Sequence, residues 1–420
     1  MTEVVITGAG ALCAIASDVT SFTGALRAGV CGVGARGAEG AYAELRPTLC
    51  ADLAGFDLGS ALAGRTERLR RAAVRLAARS PLSVQASVTV ALEGWERADL
   101  HRRPVPGDRI GLIVAGHNLG GRLAETVRPR YVTSPVHLPA RYPLQFMDTD
   151  HVGTVSQLLG LTGEGYTVGG ASASGNVALI NAARLVASGV VDVCLVLGAL
   201  TDLSDMERQA FYNLGAMAGA RGTPAARAGR PFDADREGFV PGQGAACLVL
   251  ESAASAVRRR AEVWSSLAGY ALRLDGNGLA DPSLAGETEV MRRALALAGL
   301  TPDRIDYVNA HGTGAPLGDE VELTALREVF GSGADGPWVN STKGLIGHCL
   351  CAAGVIEAVA TVVQMREGFV HANVNLERPL DPGARLVGAT ARPAVIGHAL
   401  SNGFGFGGFN TSVVFGRTGK

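Results

Sequence analysis

The stretch Val168-Gly169-Gly170-Ala171-Ser172-Ala173-Ser174-Gly175-Asn176 decides how this chain is read. Apart from its two ends it holds only Gly, Ala and Ser, and residues 176–187 follow with apolar side chains at helical spacing. The pattern predicts a tight turn running into a helix. Ser172 then sits near a helix N-terminus, where free backbone N–H groups favour developing negative charge. A turn this small serves either close backbone packing or the presentation of a hydroxyl to a cleft. On its own it does not separate the two.

Working outward, short apolar runs at 4–8, 190–197, 245–250, 267–274 and 305–309 predict buried strands. Residues 18–28 predict a helix capped by Asp18, and the Ala- and Arg-rich run 65–92 predicts one long helix against a core. Residues 401–415 predict a Gly-rich turn followed by a final strand. Residues 221–230 and 275–282 predict surface loops or turns. Strands alternating with helices argue α/β layering. A boundary near residue 253 divides the chain into an N-terminal half, 1–253, carrying Ser172, and a C-terminal half, 254–420.

The chain has 420 residues, of which 47% are hydrophobic and 18% charged, too many for one ordinary core. A formal net charge of −1 gives no reason to expect nucleic acid or an anionic membrane as partner. No apolar run reaches the roughly 18–20 residues that span a bilayer, and the first residues lack the basic region of a signal peptide. Seven cysteines without paired spacing read as reduced thiols, hence a cytoplasmic protein. Of 38 basic residues only Lys343 and Lys420 are lysines, and the Arg, Ala and Gly excess points to a GC-rich bacterial gene. Where Arg fills nearly every basic position, a lone internal lysine does something that a planar fork cannot.

Three further blocks carry chemistry. His311-Gly312-Thr313-Gly314-Ala315 ends a predicted strand and is followed by Asp319 and Glu322. Lys343 and His348, five apart, suit a loop entering a helix, from which Glu357 could reach back to the lysine. Asn402-Gly403-Phe404-Gly405-Phe406-Gly407-Gly408 offers backbone geometry, and N–H groups, suited to an oxyanion site. Singly, each histidine is more often structural than catalytic.

Together, in order and spacing, the four blocks resemble the β-ketoacyl synthases of the thiolase superfamily. Leu159-Gly160-Leu161-Thr162-Gly163, Phe232-Asp233, Arg236 and Gly238-Phe239-Val240 extend the likeness over nearly the whole chain. The resemblance implies the five-layered α-β-α-β-α thiolase fold, built from two related halves, and a homodimer. It implies that His311 and His348 bind the thioester oxygen, with Lys343 as the active-site lysine and Glu357 its partner. Phe406 stands at the pocket mouth, and its N–H and that of Ser172 form the oxyanion hole. Thr313, Phe404 and Phe409 lie along the pantetheine and acyl channel. Three positions depart from the family: Ala315 for a second channel threonine, Gln243 for a glutamate, and Phe409 for a small polar residue. They bear on the shape of the acyl pocket and leave the decarboxylation apparatus untouched.

The largest departure is Ser172, where the family has its nucleophilic cysteine. A thiol at a helix N-terminus becomes a thiolate readily; a serine alkoxide is far less accessible. Decarboxylation of a malonyl thioester needs no acyl-enzyme, only donors for the enolate oxygen. The turn is similar to that of the ketosynthase-like decarboxylases of polyketide β-branching cassettes. These convert malonyl- to acetyl-[acyl carrier protein] for a hydroxymethylglutaryl-synthase-like partner. The resemblance therefore implies a malonyl-loaded acyl carrier protein as partner, and no metal or cofactor beyond the phosphopantetheine that the carrier brings. Two alternatives stand beside it. A serine-nucleophile acyltransferase or condensing enzyme would form an oxyester on Ser172. A non-catalytic subunit like a chain-length factor would have no need of the His–Lys–Glu set.

Overall fold

The computed structural model describes residues 2–35, 49–219, 222–333 and 335–418. The N-terminal half supplies five strands of a ten-stranded sheet: β1 Val4–Cys13, β2 Ile110–Ala115, β3 Gly165–Val168, β4 Val193–Gly198 and β5 Gly244–Ser252. Five more follow: β6 Ser265–Leu274, β7 Tyr307–Asn309, β8 Trp338–Asn340, β9 His398–Gly405 and β10 Phe409–Gly416. They lie in the order β8-β7-β9-β10-β6-β1-β5-β4-β2-β3. Counted from the centre, each half shows the same order of its own first, fifth, fourth, second and third strand. The pairing repeats too. Within each half the first and fifth strands, and the fifth and fourth, run antiparallel; the fourth and second, and the second and third, run parallel. The halves meet at a short antiparallel seam, Val5↔Ser266 and Ile6↔Ser265.

The helices used below are α1 Val19–Ala28, α2 Glu67–Ala77, α3 Leu82–Arg97, α4 Thr149–Leu159, α5 Ser174–Ala187, α6 Leu284–Ala298, α7 Pro316–Phe330 and α8 Ala353–Glu367. Strand β4 shows why its run is continuously apolar. Its alternate residues Cys194 and Val196 join the core around α5 and α8, while Val193, Leu195 and Leu197 face the core around α3 and α4. A third core holds α6 and α7 against the second group of strands, with Met291, Leu326, Val308 and Val414. Helices α5 and α8 touch strands of both groups, so the layers run α3/α4, strands, α5/α8, strands, α6/α7. This is the five-layered thiolase arrangement. Each fully buried Val or Leu in these layers contributes about 1.5–3 kcal/mol.

The two inner helices meet one residue inside α5 and α8. A side chain added at Gly175 would begin 2.6 Å from the backbone N of Val355, and one at Gly354 would begin 2.7 Å from that of Asn176. Only glycine permits this approach.

Two sequence expectations change. Residues 65–92 form two helices, α2 and α3, because Pro81 has no N–H to donate and disfavours helix at the residue before it. Residues 401–415 form a hairpin whose glycines 403 and 405 lie in β9 rather than in the turn. Asp18 caps α1 with a full capping box. The loop expected at 221–230 contains a short helix, Ala225–Ala228, and Arg221 and Lys420 lie outside the described residues. All seven cysteines are free. Among the described residues no helix is long and apolar enough to cross a membrane.

Candidate active site

Both inner helices start from strained turns. Ala171 (φ 47°) and Leu350 (φ 49°) hold left-handed backbone without being glycine, a conformation that costs about 1–3 kcal/mol and clusters at functional sites. The first turn sets Ser172 in the wall of a cleft of about 650 Å³. The second directs the Leu350 N–H at His348 Nδ1, 3.1 Å away. With Nδ1 accepting, the neutral ring carries its hydrogen on Nε2, which lies 2.9 Å from Ser172 Oγ. The His348 Nε2–H therefore donates to the hydroxyl. The His348 ring is buried and meets the rings of Phe239 and His311 edge-on, with centroids 5.3 and 5.7 Å away.

His311 leaves the end of β7 on a loop pinned by α7. Glu322 accepts from the N–H groups of His311 (2.8 Å) and Gly312 (2.7 Å), and from Asn402 Nδ2 (3.1 Å). Asp319, one turn earlier, accepts from Gly314 N (3.1 Å) and Phe232 N (2.7 Å). Burial pushes Asp319 up to about 7, against the pull of these N–H groups.

Behind His311 lies Lys343. Its Nζ donates to Glu357 Oε1 (2.5 Å), to the His311 carbonyl (2.6 Å) and to His311 Nδ1 (3.3 Å). The pair is buried, with side chains 2% and 1% exposed. Burial raises Glu357 to about 7, and the Lys343 charge holds it from going further. Since Lys343 donates to His311 Nδ1, that ring also carries its hydrogen on Nε2. Burial, and then the Lys343 charge, hold both imidazoles well below the ordinary histidine range. The site thus holds two neutral Nε2–H imidazoles beside a hydroxyl.

Among the other candidates, Thr313, Phe404, Phe406 and Phe409 all line the cleft, as does Ala315. Phe406 is exposed; Phe404 is buried and packs on the His311 ring, centroids 5.6 Å apart. The end of β9 rests on the Ser172 turn: a side chain on Gly405 would begin 3.2 Å from Ser172 N. Lys343 and Glu357 lie outside the cleft wall. Gln243 also lies away from it, accepting from Leu53 N (3.0 Å) and donating to Asp202 (3.4 Å). Sequence reasoning quoted Asp319, Glu322 and Phe239 without giving them a task, and passed over the Leu350 N–H and His117. For Asp319 and Glu322 the three-residue spacing just after the His311 loop was an available signal.

Residues 1–256 match the β-ketoacyl synthase N-terminal domain, and residues 264–377 its C-terminal domain. The chain belongs to the β-ketoacyl synthase family. It is 39% identical over 412 residues to the polyketide biosynthesis malonyl-ACP decarboxylase PksF of Bacillus subtilis, covering 98% of this chain and 95% of that protein. It is 31% identical to the 3-oxoacyl-[acyl-carrier-protein] synthase 2 of Coxiella burnetii, over 99% of this chain and 98% of the relative. A β-ketoacyl synthase structure from Burkholderia phymatum superposes with a TM-score of 0.85 at 28% identity, over 100% of both chains. A type II polyketide ketosynthase solved with its acyl-carrier protein, AntDE:AntF, shares the fold with a TM-score of 0.86 at 24% identity, over 99% of this chain and 100% of that one.

Proposed function

We propose that this β-ketoacyl synthase family member removes CO2 from malonyl-[acyl carrier protein] and releases acetyl-[acyl carrier protein] in polyketide biosynthesis, supplying a β-branching reaction. The observation that carries this reading is the direction of the His348–Ser172 hydrogen bond. A serine becomes a nucleophile when a base faces its hydroxyl; here the facing nitrogen already carries a hydrogen. The same tautomer is what decarboxylation requires. With the thioester oxygen between the Nε2–H groups of His311 and His348, the C–C bond to the carboxylate breaks, CO2 leaves, and the electron pair moves onto that oxygen. A preorganised donor in such a site contributes about 3–4 kcal/mol. The likeness to PksF over nearly the full length supports the same reading.

In this reading Lys343 and Glu357 are positioning residues that hold the His311 tautomer. The backbone N–H groups of Ser172 and Phe406 receive the acyl oxygen, and Thr313, Phe404 and Phe409 line the path of the carrier's phosphopantetheine arm. The chain needs no metal or cofactor of its own. It acts in the cytoplasm as a homodimer, its halves dividing after residue 253. The helix Gly121–Thr133 and the helix Tyr142–Phe146 contain no buried residue, and Tyr131, Val132, Leu144 and Phe146 are exposed, as suits a face covered by a second copy.

The test is the intact mass of malonyl-carrier protein incubated with catalytic amounts of enzyme and no acyl primer. The carrier should lose its carboxyl mass. A carrier that stays malonylated until an acyl primer is added, and then yields a ketoacyl product, would establish the condensing alternative.

A further inference from the structure

Decarboxylation leaves one step without a donor. Loss of CO2 puts an electron pair on the substrate's α-carbon and thioester oxygen, and acetyl forms only when that carbon gains a proton. His311 and His348 are neutral, and each has a single hydrogen. Giving it to carbon would leave an imidazolate.

The cleft contains a third imidazole, that of His117, which the reaction as described does not use. It follows the end of β2, beyond Gly116, and its ring lies on the turn that carries Ser172: a side chain on Gly169 would begin 2.7 Å from His117 Cδ2. Unlike the buried His348 and the half-buried His311 it is exposed, so water can replace a proton that it gives away. The segment behind it is built with unusual backbone. Asn118 (φ 54°) and Asp148 (φ 59°) both hold left-handed conformations. The Leu119 N–H donates to Asp148 Oδ1 at 3.1 Å, which leaves this carboxylate within electrostatic reach of the His117 ring. Asn118 Nδ2 lies 3.5 Å from His117 Nδ1.

Three of the other acids of the cleft wall are engaged by main-chain N–H groups. Asp319 and Glu322 hold backbone N–H groups, and Glu207 accepts from Ser204 N at 2.6 Å. Glu287 is buried among Glu322, Asp275 and Asp319, with one oxygen unpartnered.

We propose that His117 is the general acid of the reaction. The N–H bond of its ring breaks as a C–H bond forms at the α-carbon, water returns a proton to the ring, and acetyl thioester departs. One solvent proton is consumed per CO2 released. This rests on the decarboxylase reading, and the experiment separates the two.

Malonyl-carrier protein is incubated with enzyme in 13C-bicarbonate, and acetyl formation and 13C entry into unreacted malonyl-carrier are followed by mass. Positioned general acids contribute about 10²–10⁴-fold, so His117→Gln should lower acetyl formation by about 10²-fold. Its longer-lived enolate should recapture labelled CO2, so that 13C appears in the malonyl pool. Wild type should show little exchange. Imidazole added to His117→Ala should restore acetyl formation. Wild-type rates without exchange in His117→Gln would overturn the assignment. So would exchange that appears in Ser172→Ala or Glu287→Gln instead, or an exchanging His117→Ala that imidazole does not rescue. Failure of the wild type itself to release CO2 would remove the decarboxylase reading, whatever His117 does.

Discussion

Replacing Lys343 by arginine keeps the charge and removes the geometry. One Nζ serves three acceptors, at 2.5, 2.6 and 3.3 Å, in a site that leaves the side chain 2% exposed. An arginine fork is planar, larger, and cannot turn its hydrogens to that set. Overpacking a buried site costs about 1–3 kcal/mol of stability, which a cleft-forming fold of this size survives. The larger effect falls on His311. Without a donor at Nδ1, the ring is free to move its hydrogen there and present a lone pair to the cleft. That removes one of the two oxyanion donors and should lower CO2 release by about 10²–10³-fold. Lys343→Met provides the contrast. An unpaired buried charge costs about 3–5 kcal/mol, but Glu357, already raised to about 7, escapes the cost by binding a proton. For a raised carboxyl, stability is present at low pH and is lost as pH rises through the folded value. Lys343→Met should therefore melt close to wild type at pH 5–6 and fall behind above pH 7. The assays are CO2 release by carrier mass and melting temperature across pH. Wild-type turnover in Lys343→Arg would refute the reasoning, because it would show that the position requires only positive charge.

His311→Ala and His348→Ala should each lose about 10²–10³-fold in CO2 release, whereas Ser172→Ala should stay within about tenfold of wild type; a dead but folded Ser172→Ala would favour the acyltransferase reading. Ser172→Cys restores a thiol at a helix N-terminus, which lowers its pKa. Intact mass after exposure to short acyl thioesters should show an adduct on that variant and none on wild type, and equal labelling of both would mean that Ser172 is already a nucleophile. Burial lowers His151 and His371 from 6.5 to about 4, so their contribution is full above about pH 6.5 and lost as pH falls toward 4, up to about 3 kcal/mol each. The melting temperature of His151→Gln should accordingly fall less steeply than that of wild type between pH 6.5 and 4, and parallel slopes would show that His151 titrates normally.

Most strands were legible because each is an apolar run bounded by turn residues, and Asp18 marked a helix start by its own chemistry. Pro81 was overlooked because the Ala and Arg periodicity continues on both sides of it. The two related halves were implied by the family resemblance and not by the residues themselves: β1 is buried throughout while its counterpart β6 alternates, so backbone pairing is what displays the duplication. At the site, side chains that carry chemistry were visible as residue types, and the structure brings Ser172, His311 and His348 to one cleft with Lys343 and Glu357 behind. What stayed hidden was supplied by main chain. The Leu350 N–H sets the His348 tautomer, and no residue code announces a backbone donor; it depends on a left-handed turn at a leucine. His117 was passed over because Gly116-His117-Asn118-Leu119-Gly120 reads as an ordinary loop until its ring is seen on Gly169.

The crossing at Gly175 and Gly354 governs when this protein can first act. The hydroxyl and the imidazole that it brings together are 176 positions apart in the chain. A nascent polypeptide emerging from the ribosome exposes Ser172 long before His348 exists, and the glycine that seats α8 against α5 appears later still. Until then the N-terminal half waits with an apolar face that its own residues cannot cover. The chain therefore passes through synthesis catalytically silent. A substitution at either glycine would act as a timing defect as much as a structural one, prolonging the interval in which half a molecule is open to aggregation.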